Sequence, residues 1–324
     1  MSNARNLANL LGTGTQIQTG DIASGAVTTA KIADGAFQAN KNLIINGAMR
    51  VWQRGTSFTK VGNGYGFYTA DRWALYYDDT EVEKQEDTIN GEIVDTLKVT
   101  AAGSNGRRYF YQQIEDGSVL ISGKTCTVSF WFKSSNTRSF ELQIRFNSGG
   151  FGPNADNQTV TTFTPSSVNT WEKFEFSFSA TDGFYAKGRV AGLWISCNEN
   201  DDFGSDSTAQ ITQVQLELGD TATPFEHRSY GEELAACKRF YRNFIDANAS
   251  AVGFMPAKYS ESTSHWLTVV LNPEMRAAPT VTVSTWQNQT PSLYKSNPKD
   301  ITLYNASGSY YSNVNTTFVA DAEL

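Results

Sequence analysis

The stretch TCTVSFWFKSS, residues 125–135, alternates between apolar and polar side chains. One side of an extended chain would carry Val128, Phe130 and Phe132, and the other Ser129, Trp131 and Lys133. FELQIRFN, residues 140–147, repeats this pattern, with core-facing positions Leu142, Ile144 and Phe146. A period of two residues is typical of a β-strand buried on one face only. Each of the two segments therefore predicts a half-buried strand.

Similar segments continue on both sides of this stretch, separated by turn-rich sequence. They are EIVDTLKVTAA (92–102), RRYFYQQIE (107–115), TWEKFEFSFSA (170–180), GLWISCNE (192–199) and AQITQVQLELG (209–219). Many short strands with turns predict an all-β, two-sheet jelly roll, a β-sandwich, over residues 42–228. Within it, Trp73 of the aromatic segment 65–79 is expected to fill the core, while Tyr76 and Tyr77 receive no assignment. NLIINGAMRVWQRG, residues 42–55, would be the entry strand.

Residues 1–41 have a different composition, dominated by Ala, Gly and Thr. IASGAV (22–27) and IADGAF (32–37) form a repeat at an offset of ten. One such unit buries too little apolar area to offset its ordering entropy, so it needs neighbours. Three chains side by side would bring the Ile and Val positions together as an extended stem. A flexible linker is the alternative.

The alternation breaks at residues 229–244, where Ser229 and Glu232 form an S-x-x-E capping box. Apolar residues then recur at helical spacing: Leu234, Cys237, Tyr241 and Phe244. We predict one connecting helix of about four turns, which either seats on the sandwich or lines a threefold seam. Residues 245–324 return to strand patterns and form a smaller β-rich C-terminal tip domain, with HWLTVVLN, PTVTVSTW, DITLYNAS and NTTFVADAEL.

Charge and cysteine usage exclude several functional classes. The net charge is −7, and no run of Lys or Arg could neutralise a track of phosphates, so nucleic-acid binding is not expected. No signal-peptide pattern and no stretch of about 18 apolar residues occurs, so membrane insertion is not expected either. The three cysteines, Cys126, Cys197 and Cys237, match no metal-binding spacing. They are interpreted as free, buried thiols.

Four segments in this order resemble bacteriophage tail fibres and receptor-binding proteins. They are AVTTAKIADGA (26–36), NLIINGAMRVWQRG with YTADRW (68–73), QVQLELGDTATPFEHRSYGEELAACKRFY (213–241) and NPEMRAAPTVTVS (272–284) followed by ADAEL. The resemblance implies attachment to a tail or baseplate protein through residues 1–41. It also implies a carbohydrate-binding-module-like jelly roll and a homotrimer. With two repeats the stem is short, which favours a compact adhesin over a long fibre.

The side chains opposite the predicted core would form a glycan-binding surface. Aromatic rings cover the C–H face of a sugar ring, and amides and guanidinium groups supply planar donors. The candidate residues are Trp131, Lys133, Gln143, Arg145, Trp194, Tyr109, Tyr111, Gln113 and Gln215. A cover formed by a loop or a neighbouring subunit is the alternative, and the C-terminal tip competes as the receptor contact.

An acidic loop, residues 198–206, offers hard oxygen ligands for a structural Ca²⁺: Glu199, Asp201, Asp202 and Asp206. Its spacing fails the EF-hand template, and a solvated acidic turn is the preferred interpretation, so no cofactor is assigned. The chain has two histidines, His227 and His265, and no G-x-S-x-G or H-E-x-x-H motif. No catalytic residue is assigned, and the chain is not expected to be an enzyme.

The resemblance thus implies a virion tail protein, assembled in the host cytoplasm, that adsorbs to surface polysaccharide of the host. Two alternatives remain open. One is a structural tail or baseplate component without glycan binding, and the other is a surface-polysaccharide hydrolase. Trimerisation would raise glycan binding by avidity, because single sugar contacts are weak.

Overall fold

The alternating segments form strands in the structure, which is a computed structural model. It describes residues 41–102, 109–115, 121, 123–147, 156–180, 190–197, 206–244, 254–255, 265–283, 292–305, 314–315 and 318–323. The predicted stem lies outside these residues except for Lys41. No helix in the described part of the chain is long and apolar enough to cross a membrane.

Ten antiparallel strands form the first and largest sheet. They are β1 (Ser57–Tyr68), β2 (Ala74–Ile89), β3 (Glu92–Ala101), β4 (Tyr109–Ile114), β5 (Thr125–Ser134), β6 (Phe140–Asn147), β7 (Asp156–Phe163), β8 (Glu172–Ser179), β9 (Val190–Cys197) and β10 (Thr208–Leu218). Their order is β7-β6-β9-β4-β2-β3-β10-β5-β8, with β1 also paired to β2.

The long strand β2 divides this sheet into two layers. Its first residues, Ala74–Tyr76, pair with β4, whereas Thr80–Ile89 pair with β3. Layer A therefore consists of β7, β6, β9, β4 and the start of β2. Layer B consists of the rest of β2 with β3, β10, β5 and β8. The chain thus forms the all-β sandwich that the strand patterns predict.

The core lies between the two layers and is rich in Phe. The rings of Phe132 and Phe140 lie 4.7 Å apart, as do those of Phe163 and Phe174, so both pairs join layer B to layer A. The core-facing positions predicted from alternation belong to this cluster, except Phe146, whose side chain is not described. Trp73 is fully buried in it, as predicted, and its indole N–H donates to the Asn46 carbonyl at 3.0 Å.

The segment 42–55 opens this unit as a series of bends, so the prediction of an entry strand is wrong. Side-chain hydrogen bonds of two buried asparagines hold its backbone, where a strand would use backbone hydrogen bonds to its neighbour. Asn42 accepts from the Leu216 amide at 3.1 Å, and its own amide donates to the Val214 carbonyl at 3.0 Å. Asn46 accepts from the Val51 amide at 3.0 Å. Asparagine side chains compete with regular strand hydrogen bonding in this way.

The helix α1 (Tyr230–Lys238) begins with the predicted capping box of Ser229 and Glu232. It is shorter than predicted, because Tyr241–Asn243 form strand β11 instead. The chain leaves the helix at Arg239, and the backbone of β11 pairs with the last strand of the chain. The helix seats on the sandwich: Glu233 is buried and accepts from the Asn46 amide at 2.5 Å. Leu234, predicted to face inwards, is only partly buried.

The C-terminal part contains short strands in three further sheets. The strands are β12 (Phe254–Met255), β13 (His265–Val270), β14 (Thr280–Val283), β15 (Ser292–Ser296), β16 (Asp300–Asn305), β17 (Val314–Asn315) and β18 (Phe318–Asp321). The sheet orders are β11-β18-β14, β12-β17 and β13-β16-β15. Their own buried cluster includes Ile301, Leu303 and Phe318. All four predicted strand segments are confirmed, and the patterns did not predict β12 or β15.

Ion pairs and a cation–π contact join the chain end to the sandwich. Arg72, 1% exposed, pairs with Glu323 and lies 3.5 Å from the centre of the Phe240 ring. Arg54 pairs with Asp321 at 3.3 Å. Residues 42–324 form one compact unit by their internal contacts.

Two of the three cysteines are described as free, buried thiols, as predicted. Burial raises the pKa of Cys126 to about 11 and also raises that of Cys237. Both thiols therefore stay protonated and unreactive near neutral pH. The side chain of Cys197 lies outside the described residues.

Candidate functional site

Six of the predicted glycan contacts lie together on the outer face of layer A. Strand register places Tyr111 opposite Trp194 and Trp194 opposite Gln143. Each of these residues follows or precedes a core residue in its strand, so its side chain points away from the core. We call this group the Trp194 cluster: Tyr109, Tyr111, Gln113, Gln143, Arg145 and Trp194.

The rings of the Trp194 cluster are enclosed by side chains of their own chain. Tyr111 stacks on Trp194 with centroids 4.1 Å apart and planes 3° from parallel. The Arg145 guanidinium lies 4.1 Å from the centre of the same indole. Trp194 is 0% and Tyr111 1% exposed. The ring surface that a sugar would need is therefore occupied, and the expectation of an open surface at these residues is wrong for this conformation.

The polar members of the Trp194 cluster are also buried. Arg145 donates to the Gln143 side chain at 2.6 Å, which fixes both side chains over the aromatic rings. The Gln113 backbone carbonyl accepts from Arg72 at 2.7 Å. The Gln113 side-chain oxygen has no hydrogen-bond partner among the described residues. This group acts as a small second core, with Ala74 and Tyr76 packed beside it.

Trp131 and Lys133 lie on the outer face of layer B, on the opposite side of the sandwich. They alternate in β5 with Phe130 and Phe132, which point into the core. Because the core separates the two layers, the predicted surface divides into two faces that one sugar chain cannot cover together. The sequence shows that each strand has an outer side, but not which layer the strand joins.

Trp131 and Lys133 are surrounded by further polar and aromatic side chains. Lys133 forms an ion pair with Asp87, and its ammonium lies 5.0 Å from the centre of the Trp171 ring. Gln210 donates to Gln85 at 3.2 Å. We call this group the Trp131 face: Gln85, Asp87, Trp131, Lys133, Trp171 and Gln210. Trp131 and Trp171 are both partly exposed, in contrast to Trp194.

The Asp87 carboxylate carries a charge that its neighbours stabilise. Partial burial raises its pKa, but the hydrogen bonds from Lys133 and from the Thr88 amide outweigh that effect, and the net pKa is lowered. Asp87 is therefore ionised at neutral pH, and its pair with Lys133 holds both side chains in place. The face thus offers fixed, oppositely charged hydrogen-bonding groups between two indole rings.

Sequence reasoning missed Asp87, Gln85, Gln210 and Trp171 as members of this face. The signal was available for Trp171, since alternation in TWEKFEFSFSA puts Trp171 on the same side as Lys173 and Glu175. Lys173 lies directly opposite Trp131 in the register. The side-chain contact between Gln85 on β2 and Gln210 on β10 has no comparable local signal.

Gln215 has a structural role instead of the predicted ligand contact. It is fully buried, and its amide donates to Glu217 at 2.8 Å and to Thr223 at 3.2 Å. Its side-chain oxygen accepts from the Glu226 amide at 2.8 Å. These bonds hold the segment after β10 against the sheet and leave the side chain unavailable to a sugar.

The predicted calcium ligands are only partly described. Glu199, Asp201 and Asp202 lie outside the described residues, while Asp206 has a left-handed backbone with φ of 60°. Among the described residues, no group of three His, Cys, Asp or Glu side chains is arranged to hold a metal ion. The calcium site therefore stays a prediction.

Comparison with known proteins links the sandwich to sugar-binding domains. Residues 67–191 match the model of a family described as a carbohydrate binding domain. The matched segment includes Asp87, Trp131, Lys133 and Trp171 and ends just before Trp194. No curated protein sequence matches the chain.

Solved structures resemble the chain at low sequence identity. The enzymatically active domain of tailspike protein 4 from bacteriophage CBA120 is 17% identical, with a TM-score of 0.36, over 55% of this chain and 22% of that one. The CBM22-2 xylan-binding domain from Paenibacillus barcinonensis Xyn10C is 12% identical, with a TM-score of 0.37, over 46% and 92%. A putative sugar-binding protein from Bacteroides thetaiotaomicron is 14% identical, with a TM-score of 0.38, over 55% and 100%. The chain thus spans about a fifth of the tailspike domain.

Proposed function

We propose that this chain is a bacteriophage tail adhesin whose β-sandwich binds host surface glycans at the Trp131 face. The observation that carries the proposal is the partly exposed Trp131, beside a Lys–Asp pair, on the segment that matches a carbohydrate binding domain. A sugar-binding site needs an accessible flat ring and fixed polar groups near its edge. The Trp131 face has both.

The chemistry of this face suits a hydroxyl-rich polymer. Trp131 presents an indole to the apolar face of a sugar ring. Lys133 and Asp87 supply a charged donor and a charged acceptor, and the paired side chains of Gln85 and Gln210 supply amide groups. Hydrogen bonds to charged groups are stronger than neutral ones, so the ion pair orients the sugar while the ring supplies contact area.

The virion role rests on the resemblance of four segments to tail fibres and receptor-binding proteins. In this proposal residues 1–41 attach the protein to a tail or baseplate component, and a homotrimer presents three Trp131 faces to the host cell. Multivalent presentation raises the apparent affinity of weak sugar contacts. Sedimentation of full-length protein at a mass near 35.7 kDa, that of one chain, would contradict the trimer.

A binding assay tests the proposed location of the site. Full-length protein is added to host cells and to their extracted polysaccharide, and bound protein and released reducing sugar are measured together. Trp131→Ala is expected to reduce binding at least about tenfold, with no sugar release. Leu218→Ala, at a residue 48% exposed at the opposite end of β10 from Gln210, is the surface control and should bind as wild type does.

Three other outcomes would contradict parts of the proposal. Unchanged binding by Trp131→Ala together with loss in Tyr294→Ala, at a tyrosine 64% exposed, would move the receptor contact to the C-terminal tip. Sugar release would establish the hydrolase alternative. Absence of wild-type binding to any susceptible strain would favour a structural tail or baseplate role.

A further inference from the structure

On the edge that faces β3, strand β10 changes its hydrogen-bonding partner halfway along its length. Residues Thr208–Ile211 pair with β3, and that pairing ends at Leu97. The ladder with β5 contains an irregularity between Thr212 and Gln215, and Gln213 adopts a φ of 49°. Beyond it, the Val214 amide donates to the Gly47 carbonyl at 2.9 Å. A gap therefore opens between β10 and the start of β3.

The geometry of this gap is fixed by the segment that replaces β3. A Cβ atom at Gly47 would lie 2.1 Å from the Val214 carbonyl oxygen, so only glycine permits this close approach. The Asn42 side-chain amide donates to the same carbonyl at 3.0 Å. Between β10 and β3, the Thr212 hydroxyl donates to the Asp95 carbonyl at 2.6 Å. Hydrogen bonds of the fold therefore hold the residues on both sides of the gap in place.

A pocket of about 310 Å³ fills this gap, and we call it the β3–β10 pocket. Its volume is at the lower end of the roughly 300–1,000 Å³ typical of small-ligand sites. The lining residues are Ala48, Arg50, Glu86, Ile93, Val94, Asp95, Thr212, Gln213 and His227.

The charges around the pocket balance one another. Asp95 is paired with Lys84 at 3.1 Å, which leaves the exposed Arg50 and Glu86 as one further charge of each sign. A strongly charged ligand would meet a group of its own sign, whereas a neutral polyol can donate to Glu86 and accept from Arg50. Ile93, 75% exposed, adds an apolar contact of the kind that a sugar C–H face needs.

The pocket borders the Trp131 face. Thr212, one of its walls, is the cross-strand neighbour of Trp131, and Val94 is the neighbour of Asp87. A sugar chain lying across Trp131 would therefore reach the pocket within the same layer. The pocket has room for a small ligand and not for a long chain.

We infer that the β3–β10 pocket binds the terminal neutral sugar unit of the glycan whose chain lies on the Trp131 face. This inference rests on the proposed function and adds that the adhesin recognises chain ends. The apparent affinity for a given mass of polysaccharide should then rise with the number of chain ends in it. The free monosaccharide that forms the chain end competes with the polymer for the pocket.

Two probes test the inference separately from glycan binding in general. The first is binding of extracted host polysaccharide to full-length wild type, Trp131→Ala, Arg50→Ala and Glu86→Gln. The second is saturation-transfer difference NMR of each neutral monosaccharide released by acid hydrolysis of that polysaccharide. Arg138→Ala and Glu81→Gln, at exposed residues of the same charge outside the pocket, are the matched controls.

Loss of polysaccharide affinity by about tenfold in Arg50→Ala and Glu86→Gln, as expected for a charged hydrogen bond, is the supporting result. One monosaccharide should also give an NMR signal that both variants abolish and both controls retain. If Trp131→Ala loses binding while the pocket variants bind as wild type does, the pocket inference is wrong and the proposed function stands. If wild type binds no polysaccharide and no monosaccharide gives a signal, both are wrong.

Discussion

The outer faces of the two layers carry similar side chains but differ in burial. Each has large aromatic rings beside a cation and an amide: Tyr111 and Trp194 with Arg145 on layer A, and Trp131 and Trp171 with Lys133 on layer B. Trp194 is fully buried, whereas Trp131 and Trp171 are partly exposed. The comparison shows that residue type indicates what a face could bind, and that burial decides whether it is open to bind.

The cations of the two faces, Arg145 and Lys133, also bind different kinds of partner. Arg145 lies over the Trp194 indole and donates to Gln143, so it contributes to packing within the layer A group. Lys133 pairs with the carboxylate of Asp87, whose side chain is 30% exposed. An exposed ion pair contributes little to stability but remains able to bond a ligand. Substitutions on the two faces should therefore separate stability from binding.

The largest effect is expected from Trp194→Ala. Removing a fully buried, stacked indole leaves a cavity and should cost about 3–5 kcal/mol of unfolding free energy. Urea unfolding followed by circular dichroism measures it, with Trp131→Ala as the matched tryptophan control, expected to lose less unfolding free energy because part of its ring already faces solvent. Equal unfolding midpoints for Trp194→Ala and wild type would show that the layer A cluster is not a second core.

A smaller loss of unfolding free energy is expected from Gln215→Ala, because Gln215 lies on layer B but is covered by the chain. The variant removes the acceptor of the Glu226 amide and one donor to the Thr223 hydroxyl, which keeps its bond to Glu217, at a cost of about 1–3 kcal/mol. The segment 219–226 should also become more sensitive to limited proteolysis, because these bonds hold it to the sheet. Thr221→Ala, at an exposed residue of the same segment, is the control. Unchanged proteolysis at this segment would contradict the structural role assigned to Gln215.

The sequence predicted the fold better than it predicted the site, for a physical reason. Alternation in β5 and β6 reports which side of a strand faces the core, and those assignments are confirmed for Phe130, Phe132, Leu142 and Ile144. Whether an outward residue is covered depends on segments distant in sequence. Gln215, for example, is covered by the chain near Thr223, and no local pattern marks it.

Two predictions, the length of the helix and the entry strand, were wrong because of contacts between residues distant in sequence. The helix after Ser229 ends at Lys238 because Tyr241–Asn243 pair with β18, almost eighty residues later in the chain. The segment from Asn42 is irregular because the Asn42 side chain bonds to the backbone of β10. Helix and strand periodicities describe local preference, which such tertiary contacts override. The sequence therefore gave no indication of the β3–β10 pocket.

The partly exposed Trp131 itself gives a graded test of the Trp131 face. Trp131→Phe keeps a flat ring of smaller area, so its glycan affinity should lie between those of wild type and Trp131→Ala, within about 1.5 kcal/mol of wild type. Isothermal titration with extracted polysaccharide measures it. Trp171→Phe, at a partly exposed ring beside Lys133, provides the comparison. Equal affinities for Trp131→Phe and Trp131→Ala would show that ring stacking is not the contact.

The smallest effect concerns the ion pair of Lys133 and Asp87 in acid. Because the folded state lowers the pKa of Asp87 below its ordinary 3.8, the folded protein holds the charged form more strongly than the unfolded chain does. The pair therefore stabilises the fold fully above about pH 5, and this contribution is lost as the pH falls through the folded-state pKa. Solvent screening limits it to about 1 kcal/mol or less.

The comparison of wild type with Asp87→Asn isolates this pair. Their difference in unfolding free energy should shrink between pH 5 and pH 3, while Glu81→Gln, at an exposed carboxylate of the same strand, should track wild type more closely. A difference that stays constant over this range would mean that Asp87 contributes through shape and hydrogen bonding alone. Lys133 would then be held by Trp171, and the Trp131 face would depend on its rings more than on its charges.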